Sequence, residues 1–137
     1  MRIYLTHSTK DADLAHRLTV RLKRDGLRVW TTQEQIAPGD NWARKIGDAL
    51  DHSELMLILL TPRATESDRL RQDIEFALGS RKYEGRVFSV FVGPTMEAGK
   101  DMPWILLKQP FVQVESSRDF DKVVRGIREL DLHPIAS

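Results

Sequence analysis

Apolar positions along the chain alternate between two spacings. "RIYLTHS", residues 2–8, is short, rich in strand formers and ends in small polar residues, which predicts a first strand. In the following "KDADLAHRLTVRLKRDG", Leu14, Leu18 and Leu22 recur every fourth residue. That is helical spacing; Asp11 and Asp13 suit the positive start of the helix, and Gly26 supplies a stop. "LRVWT" reads as a second strand. A polar connection, "TQEQIAPGD", leads to "NWARKIGDALDHS", in which Asn41 or Asp40 can cap a helix. Trp42, Ile46, Ala49 and Leu50 form its expected buried stripe.

"ELMLILLTP" is apolar at consecutive positions, the pattern of a strand covered on both faces. A helix is expected from about Ser67 to Lys82, with Leu70, Ile74, Ala77 and Leu78 on its apolar side. "RVFSVFVG" predicts another strand, "PWILLKQ" a short helix or turn, and "FVQVE" a last short strand. "SRDFDKVVRGIREL" closes the pattern with Phe120, Val123, Val124 and Ile127 on one helical face. Strands and helices thus alternate five times. The α/β class follows: a five-stranded parallel sheet with helices on both faces and right-handed crossovers. No linker, repeat or low-complexity tract interrupts it.

Composition changes this picture little. With 137 residues, 41% hydrophobic and 30% charged, the chain suits one domain around one core. A net charge of +1 gives no global field for nucleic acid or an acidic membrane, so neither is expected as a partner. The cationic run "RLKRDGLR" reads as a solvated helix face. There is no cysteine, which removes disulfides, thiolate nucleophiles and cysteine metal sites. "MRIYLTHS" lacks the features of a signal peptide, and the longest apolar run, "LMLILL", is far too short to cross a bilayer. A soluble cytoplasmic protein is the expectation.

In open parallel sheets the ligand crevice lies beyond the carboxyl ends of the strands. Here those ends are Thr6 to Ser8, Thr31 to Gln33, Thr61 to Arg63 and Gly93 to Thr95, mostly small and polar. Neither the dinucleotide "GxGxxG" nor the phosphate loop "GxxxxGK[ST]" occurs. A response-regulator receiver would need carboxylates where this chain has "LTHS" and "LLTP". His7, His16, His52 and His133 lack metal-ligand spacing, so no metal or other cofactor is expected. His16 and His52 read as surface residues, whereas His7 stands at a strand end. Nothing resembles a nucleophile elbow. Burial beneath the sheet accounts for Trp30, and Trp42 reads as an anchor for the Pro-Gly loop before it. Two carboxylates, Asp73 and Glu75, interrupt the apolar run of the third helix. Asp73 shares a face with Arg69 and Ala77, while Glu75 lies ~200° further round, toward solvent.

The segments "IYLTHSTKDADLAHRLTVRLKRDGLRVW", "IAPGDNWARKIGDALDHSELMLILLTP" and "SDRLRQDIEFAL" together resemble a bacterial TIR (Toll/interleukin-1 receptor) domain. The likeness covers almost all of the chain, so residues 1–132 are expected to be one TIR domain and 133–137 a tail. It implies a flavodoxin-like three-layer sandwich. It also implies one of two activities: cleavage of the nicotinamide–ribose bond of NAD+ as an immune or cell-death signal, or assembly with other TIR domains. In the resemblance, Asp73 takes the position of the family's catalytic glutamate and Arg69 that of a tryptophan four residues earlier. The sequence departs from the family at both. Aspartate keeps the charge but is one methylene shorter, and a misplacement on the order of 1 Å can cost roughly a hundredfold in rate.

The enzymatic reading therefore takes Asp73 as the carboxylate at the ribose, with Glu75 as the fallback. His7, Ser8, Thr31 and Arg69 would line the nucleotide crevice, and the Pro38-Gly39-Asp40 loop would cover it. The scaffold reading takes Pro38, Gly39, Asp40 and Trp42 as an assembly surface for other TIR domains, filaments included, or for a separate effector or sensor protein. A deoxyribosyltransferase-like enzyme would also place a carboxylate at a sugar, but the "PGDNW" loop fits it less well.

Overall fold

The computed structural model describes residues 2–31, 37–62, 68–93, 106 and 108–130; the side chain of Arg69 lies outside them. Five strands form one parallel sheet: β1 (Arg2–Thr6), β2 (Arg28–Trp30), β3 (Leu55–Leu60), β4 (Val87–Val92) and β5 (Phe111–Val114). Their order is β2-β1-β3-β4-β5, the doubly wound flavodoxin-like arrangement. Four helices cover it: α1 (Ala12–Arg24), α2 (Trp42–His52), α3 (Asp68–Gly79) and α4 (Phe120–Glu129).

The period-two alternation of each strand divides the core into two layers. Ile3 and Leu5 of β1 and Leu55, Leu57 and Leu59 of β3 face α1 and α4, where they meet Leu18, Leu22, Val123 and Ile127. Tyr4, Met56, Ile58 and Leu60 face the other way, toward Ile46 and Leu50 of α2 and Leu70, Ile74 and Ala77 of α3. All six residues of β3 are buried, which is why its sequence shows no alternation at all. Each such side chain contributes about 1.5–3 kcal/mol by leaving water. The close packing also explains Gly126 within α4. A Cβ there would meet Cζ of Phe88 at 2.7 Å, so no larger residue fits without moving the ring.

Three expectations need correction. The first helix does not begin at the acidic residues: Thr9–Asp11 form a tight 3-10 turn, capped by Ser8, before α1 starts at Ala12. The third helix stops at Gly79 rather than Lys82, and Arg81–Tyr83 form a separate turn. Trp42 is not part of the buried stripe of α2; it is 52% exposed while Ile46, Ala49 and Leu50 are buried. The side chain of a helical residue leans toward the N-terminus, so the first residue of α2 overhangs the end of its own helix. The "PWILLKQ" segment apart from Leu106, Lys108 and Gln109, the strand-end residues Thr32, Gln33, Arg63, Pro94 and Thr95, and the tail with His133 lie outside the described residues.

The Pro-Gly corner is a hydrogen-bonded turn. Asp40 N donates to Ala37 O at 3.1 Å, and Gly39 has φ +90. Proline before a positive-φ glycine is the pattern of a type II turn. Asp40 Oδ2 accepts from Ala37 N at 2.7 Å and from Lys45 Nζ at 2.9 Å, while Asn41 Oδ1 caps α2 by accepting from Arg44 N at 3.1 Å. These contacts, the Ala37 amide foremost and Lys45 next, hold the Asp40 carboxyl below its usual range.

Candidate functional site

After β1 the chain crosses one face of the sheet through α1; after β3 it crosses the other through α3. Since β1 and β3 are neighbours, the switch point of the sheet lies beyond their carboxyl ends, where ligands of such sheets bind. The polar residues are concentrated there. Of the ten buried polar or charged residues among those described, Thr6, His7, Ser8, Asp11, Thr31 and Thr61 lie at or just beyond the carboxyl ends of β1, β2 and β3, and Asp73 bonds to that end from α3. Buried polar groups cost free energy unless they are hydrogen-bonded, so their gathering at one end of the sheet points to a site rather than to the core.

Asp73 is 6% exposed. The register of α3 accounts for this: with Leu70, Ile74 and Ala77 against the sheet, Asp73 falls between them and meets β1. Its Oδ2 accepts from Thr6 Oγ1 at 2.6 Å and from Tyr4 OH at 3.3 Å. Tyr4 is fixed in turn by Trp30, whose ring stacks on it at 5.1 Å between centroids and 18° between planes. Trp30 is accordingly half-buried against the sheet. Glu75 is exposed on the far side of the same helix. The carboxylate of Asp73 also acts at a distance: burial chiefly, then the negative charges of Asp51 and Asp73, push the Tyr83 phenol well above its usual range.

A second polar group joins the two strand ends from the other helix. Asp11 Oδ2 accepts from Thr61 Oγ1 at 2.7 Å, and Asp11 N donates to Ser8 O at 2.9 Å. Ser8 Oγ accepts from Lys10 N at 3.2 Å, closing the turn before α1. His7 is buried, with Nδ1 2.8 Å from Ser8 O. Thr31, just past β2, is buried as well. The structure therefore brings Asp73, His7 and Ser8 to the carboxyl end of β1 and leaves Glu75 in solvent. Pro38, Gly39 and Trp42 are exposed on the corner that leads into α2, with Asp40 half-buried among them.

Sequence reasoning missed Tyr4, Thr6, Asp11 and Thr61 as polar partners. Tyr4 read only as a strand former, Asp11 only as a helix-start charge, and Thr6 and Thr61 only as small polar strand ends. The signal for one pair was present: a carboxylate three residues beyond Ser8 and a threonine closing β3 are complementary groups at adjacent strand ends. Among the described residues, no group of three or more His, Cys, Asp or Glu could hold a metal ion, and no helix is long and apolar enough to cross a membrane.

The doubly wound parallel sheet, with polar residues gathered at the carboxyl ends of its strands, defines the chain as an α/β domain of flavodoxin-like type. Within that class the chain belongs to the TIR domain family, which it matches over residues 3–124. It is 25% identical over 132 residues to the NAD(+) hydrolase TcpA of Theionarchaea archaeon (strain DG-70-1), covering 93% of this chain and 40% of that protein. The chain thus spans less than half the length of that relative. Two solved structures share the fold. The TIR-STING receptor of C. gigas, in complex with 2',3'-cGAMP, superposes with a TM-score of 0.69 at 14% identity over 92% of this chain and 38% of that one. The TIR domain of the Toll-related receptor TRR-2 from Hydra magnipapillata does so with a TM-score of 0.64 at 16% identity, over 91% and 89% of the two chains.

Proposed function

We propose that this TIR domain binds NAD+ and cleaves its nicotinamide–ribose bond, with Asp73 as the carboxylate at the sugar. The observation that carries the reading is the placement of Asp73. It is a buried carboxylate on α3, held against the end of β1 by Thr6 and Tyr4. The similarity to an NAD(+) hydrolase supports the choice of substrate.

The chemistry asks little more of the protein. Nicotinamide in NAD+ is already cationic, so it leaves as a neutral molecule with the electron pair of the C1′–N bond and needs no general acid. Positive charge then develops on the ribose, and a fixed carboxylate stabilises it. Water adds to C1′ and loses a proton, giving ADP-ribose; internal attack by the adenine would give a cyclic product instead. Thr6 and Tyr4 supply orientation: two hydroxyl donors hold the carboxylate without neutralising it. His7, Ser8, Thr31 and Arg69 complete the crevice, and the Pro38-Gly39-Asp40 corner covers it. Glu75, exposed on α3, is the weaker candidate for the same role. The output, loss of NAD+ or a nucleotide product, suits an immune or cell-death signal. Purified protein incubated with NAD+ should release nicotinamide, and Asp73→Asn should abolish the release; equal rates in the two proteins would dismiss this mechanism.

A second reading has its own observation. Trp42 is 52% exposed beside a turn whose backbone is fixed by Gly39 and Asp40, the kind of rigid aromatic that anchors an interface. In that reading the domain assembles with other TIR domains or with a separate effector or sensor protein, and turnover is secondary. Sedimentation of wild type against Trp42→Ala separates the readings. Concentration-dependent association lost in the variant, together with no nicotinamide from either protein, would favour the scaffold.

A further inference from the structure

His7 carries information that the crevice alone does not. Its Nδ1 lies 2.8 Å from the backbone oxygen of Ser8. A carbonyl has no proton to give, so Nδ1 holds the hydrogen and donates it. In the neutral ring Nε2 is then bare, and it can only accept. That Nε2 is buried and has no hydrogen-bond partner, in a residue only 9% exposed. Buried polar atoms without partners are rare in folded proteins, and each calls for a reason. Ser53 Oγ and Ser89 Oγ share this condition, but Ser53 sits just before β3 and Ser89 in the middle of β4, away from the carboxyl ends. His7 Nε2, by contrast, stands at the end of the sheet where a ligand of this fold binds.

We infer that Nε2 of His7 is a recognition point for a hydrogen-bond donor on the ligand, and that the donor is a ribose hydroxyl of NAD+. The inference rests on the proposed NAD+ reading for its ligand, while the tautomer rests on geometry alone. In the neutral ring a bare nitrogen repels a phosphate oxygen, so this tautomer does not suit the pyrophosphate. It selects a neutral donor instead, the O–H of ribose or the N–H of the nicotinamide carboxamide.

Two substitutions separate the halves of the ring. His7→Asn keeps a donor near Nδ1 for Ser8 and lacks the outer acceptor; His7→Gln places an acceptor near Nε2. We expect His7→Asn to weaken NAD+ binding about ten- to a hundredfold, the effect of one buried donor on the ligand losing its acceptor, and His7→Gln to stay close to wild type. Analogues of NAD+ lacking the 2′- or the 3′-hydroxyl of the nicotinamide ribose should bind wild type as weakly as NAD+ binds His7→Asn. Nicotinic acid adenine dinucleotide, which lacks the carboxamide, tests the other source of a donor. The imidazole 15N resonances of the wild-type protein give a readout independent of turnover and of variant folding. Nε2 should stand at the unprotonated position, shift when NAD+ is added and ignore inorganic phosphate. A protonated Nε2 in the ligand-free protein, or one indifferent to NAD+, would overturn the inference, as would full sensitivity to the carboxamide with none to either hydroxyl. Nicotinamide release with a silent Nε2 defeats this inference alone; a responsive Nε2 without release defeats the hydrolase reading alone.

Discussion

Thr6→Val removes the shortest contact to Asp73 while keeping the shape of the side chain. The hydroxyl stands 2.6 Å from Oδ2, inside a site where Thr6 is 3% and Asp73 6% exposed. A hydrogen bond to a charged group contributes about 1.5–3 kcal/mol, and the variant leaves a buried carboxylate facing a methyl group. A loss of that size corresponds to a fall in Tm of roughly 5–12 °C for a domain of this length. Thr6→Ser keeps the hydroxyl and should stay within about 1 kcal/mol of wild type. Tyr4→Phe removes a longer contact, 3.3 Å, and leaves the stack on Trp30, so it should cost less, about 0.5–1.5 kcal/mol. The assay is urea denaturation of Thr6→Val, Asp73→Ala and the double variant. Their coupling energy should be about 1.5–3 kcal/mol, the contribution of the hydrogen bond that the two residues share. A coupling below about 0.5 kcal/mol, or Thr6→Ser behaving like Thr6→Val, would refute the claim that β1 positions this carboxylate.

Tyr83 OH donates to Leu50 O at 2.5 Å, and burial raises its pKa in the folded protein above the usual phenol value of 10.0. The folded state therefore holds a proton that the unfolded chain gives up: this stabilisation is complete below pH ~10 and lost as pH rises toward the folded value. Stability curves of wild type and Tyr83→Phe should converge above pH ~10, and parallel curves would contradict the burial argument. Asp40 has the opposite sign. Its lowered pKa makes the Pro-Gly corner tightest above the unfolded carboxyl value, and the corner should loosen as pH falls through the folded one. Amide exchange at Ala37, whose N–H donates to the Asp40 carboxylate, should show this, and Asp40→Asn should abolish the pH dependence. Gly126→Ala gains helix propensity but drives a Cβ into Phe88 at 2.7 Å, so a net loss of about 1–3 kcal/mol is expected, relieved by Phe88→Leu. A neutral or stabilising Gly126→Ala would show that the ring yields freely.

Much of the fold was legible because hydrophobic spacing reports which face of an element is covered. The unbroken "LMLILL" announced a central strand, and Ile46, Ala49 and Leu50 announced the inner face of α2. Spacing does not report where a covered face ends, so Trp42 was misplaced at the overhanging first turn of α2, and α3 was run on past Gly79. Nor does it report partners far apart in sequence. Asp73 stood out as an acidic residue at the edge of an apolar stripe. Its donors lie 67 and 69 residues away on a strand whose own pattern asked only for burial. The Asp11–Thr61 pair was hidden for the same reason, across 50 residues. The orphaned Nε2 of His7 depends on a single backbone oxygen's position, which no sequence pattern encodes.

The central claim is that a carboxylate fixed at the end of β1 stabilises a cationic ribose. Nicotinamide release from NAD+, followed over a wide range of protein concentration for wild type, Asp73→Ala and Glu75→Ala, tests it most directly. The account predicts release by wild type and by Glu75→Ala, and at least a hundredfold less by Asp73→Ala, roughly the scale of losing one electrostatic stabiliser of a transition state. Release that survives Asp73→Ala, or that disappears with Glu75→Ala instead, would contradict it.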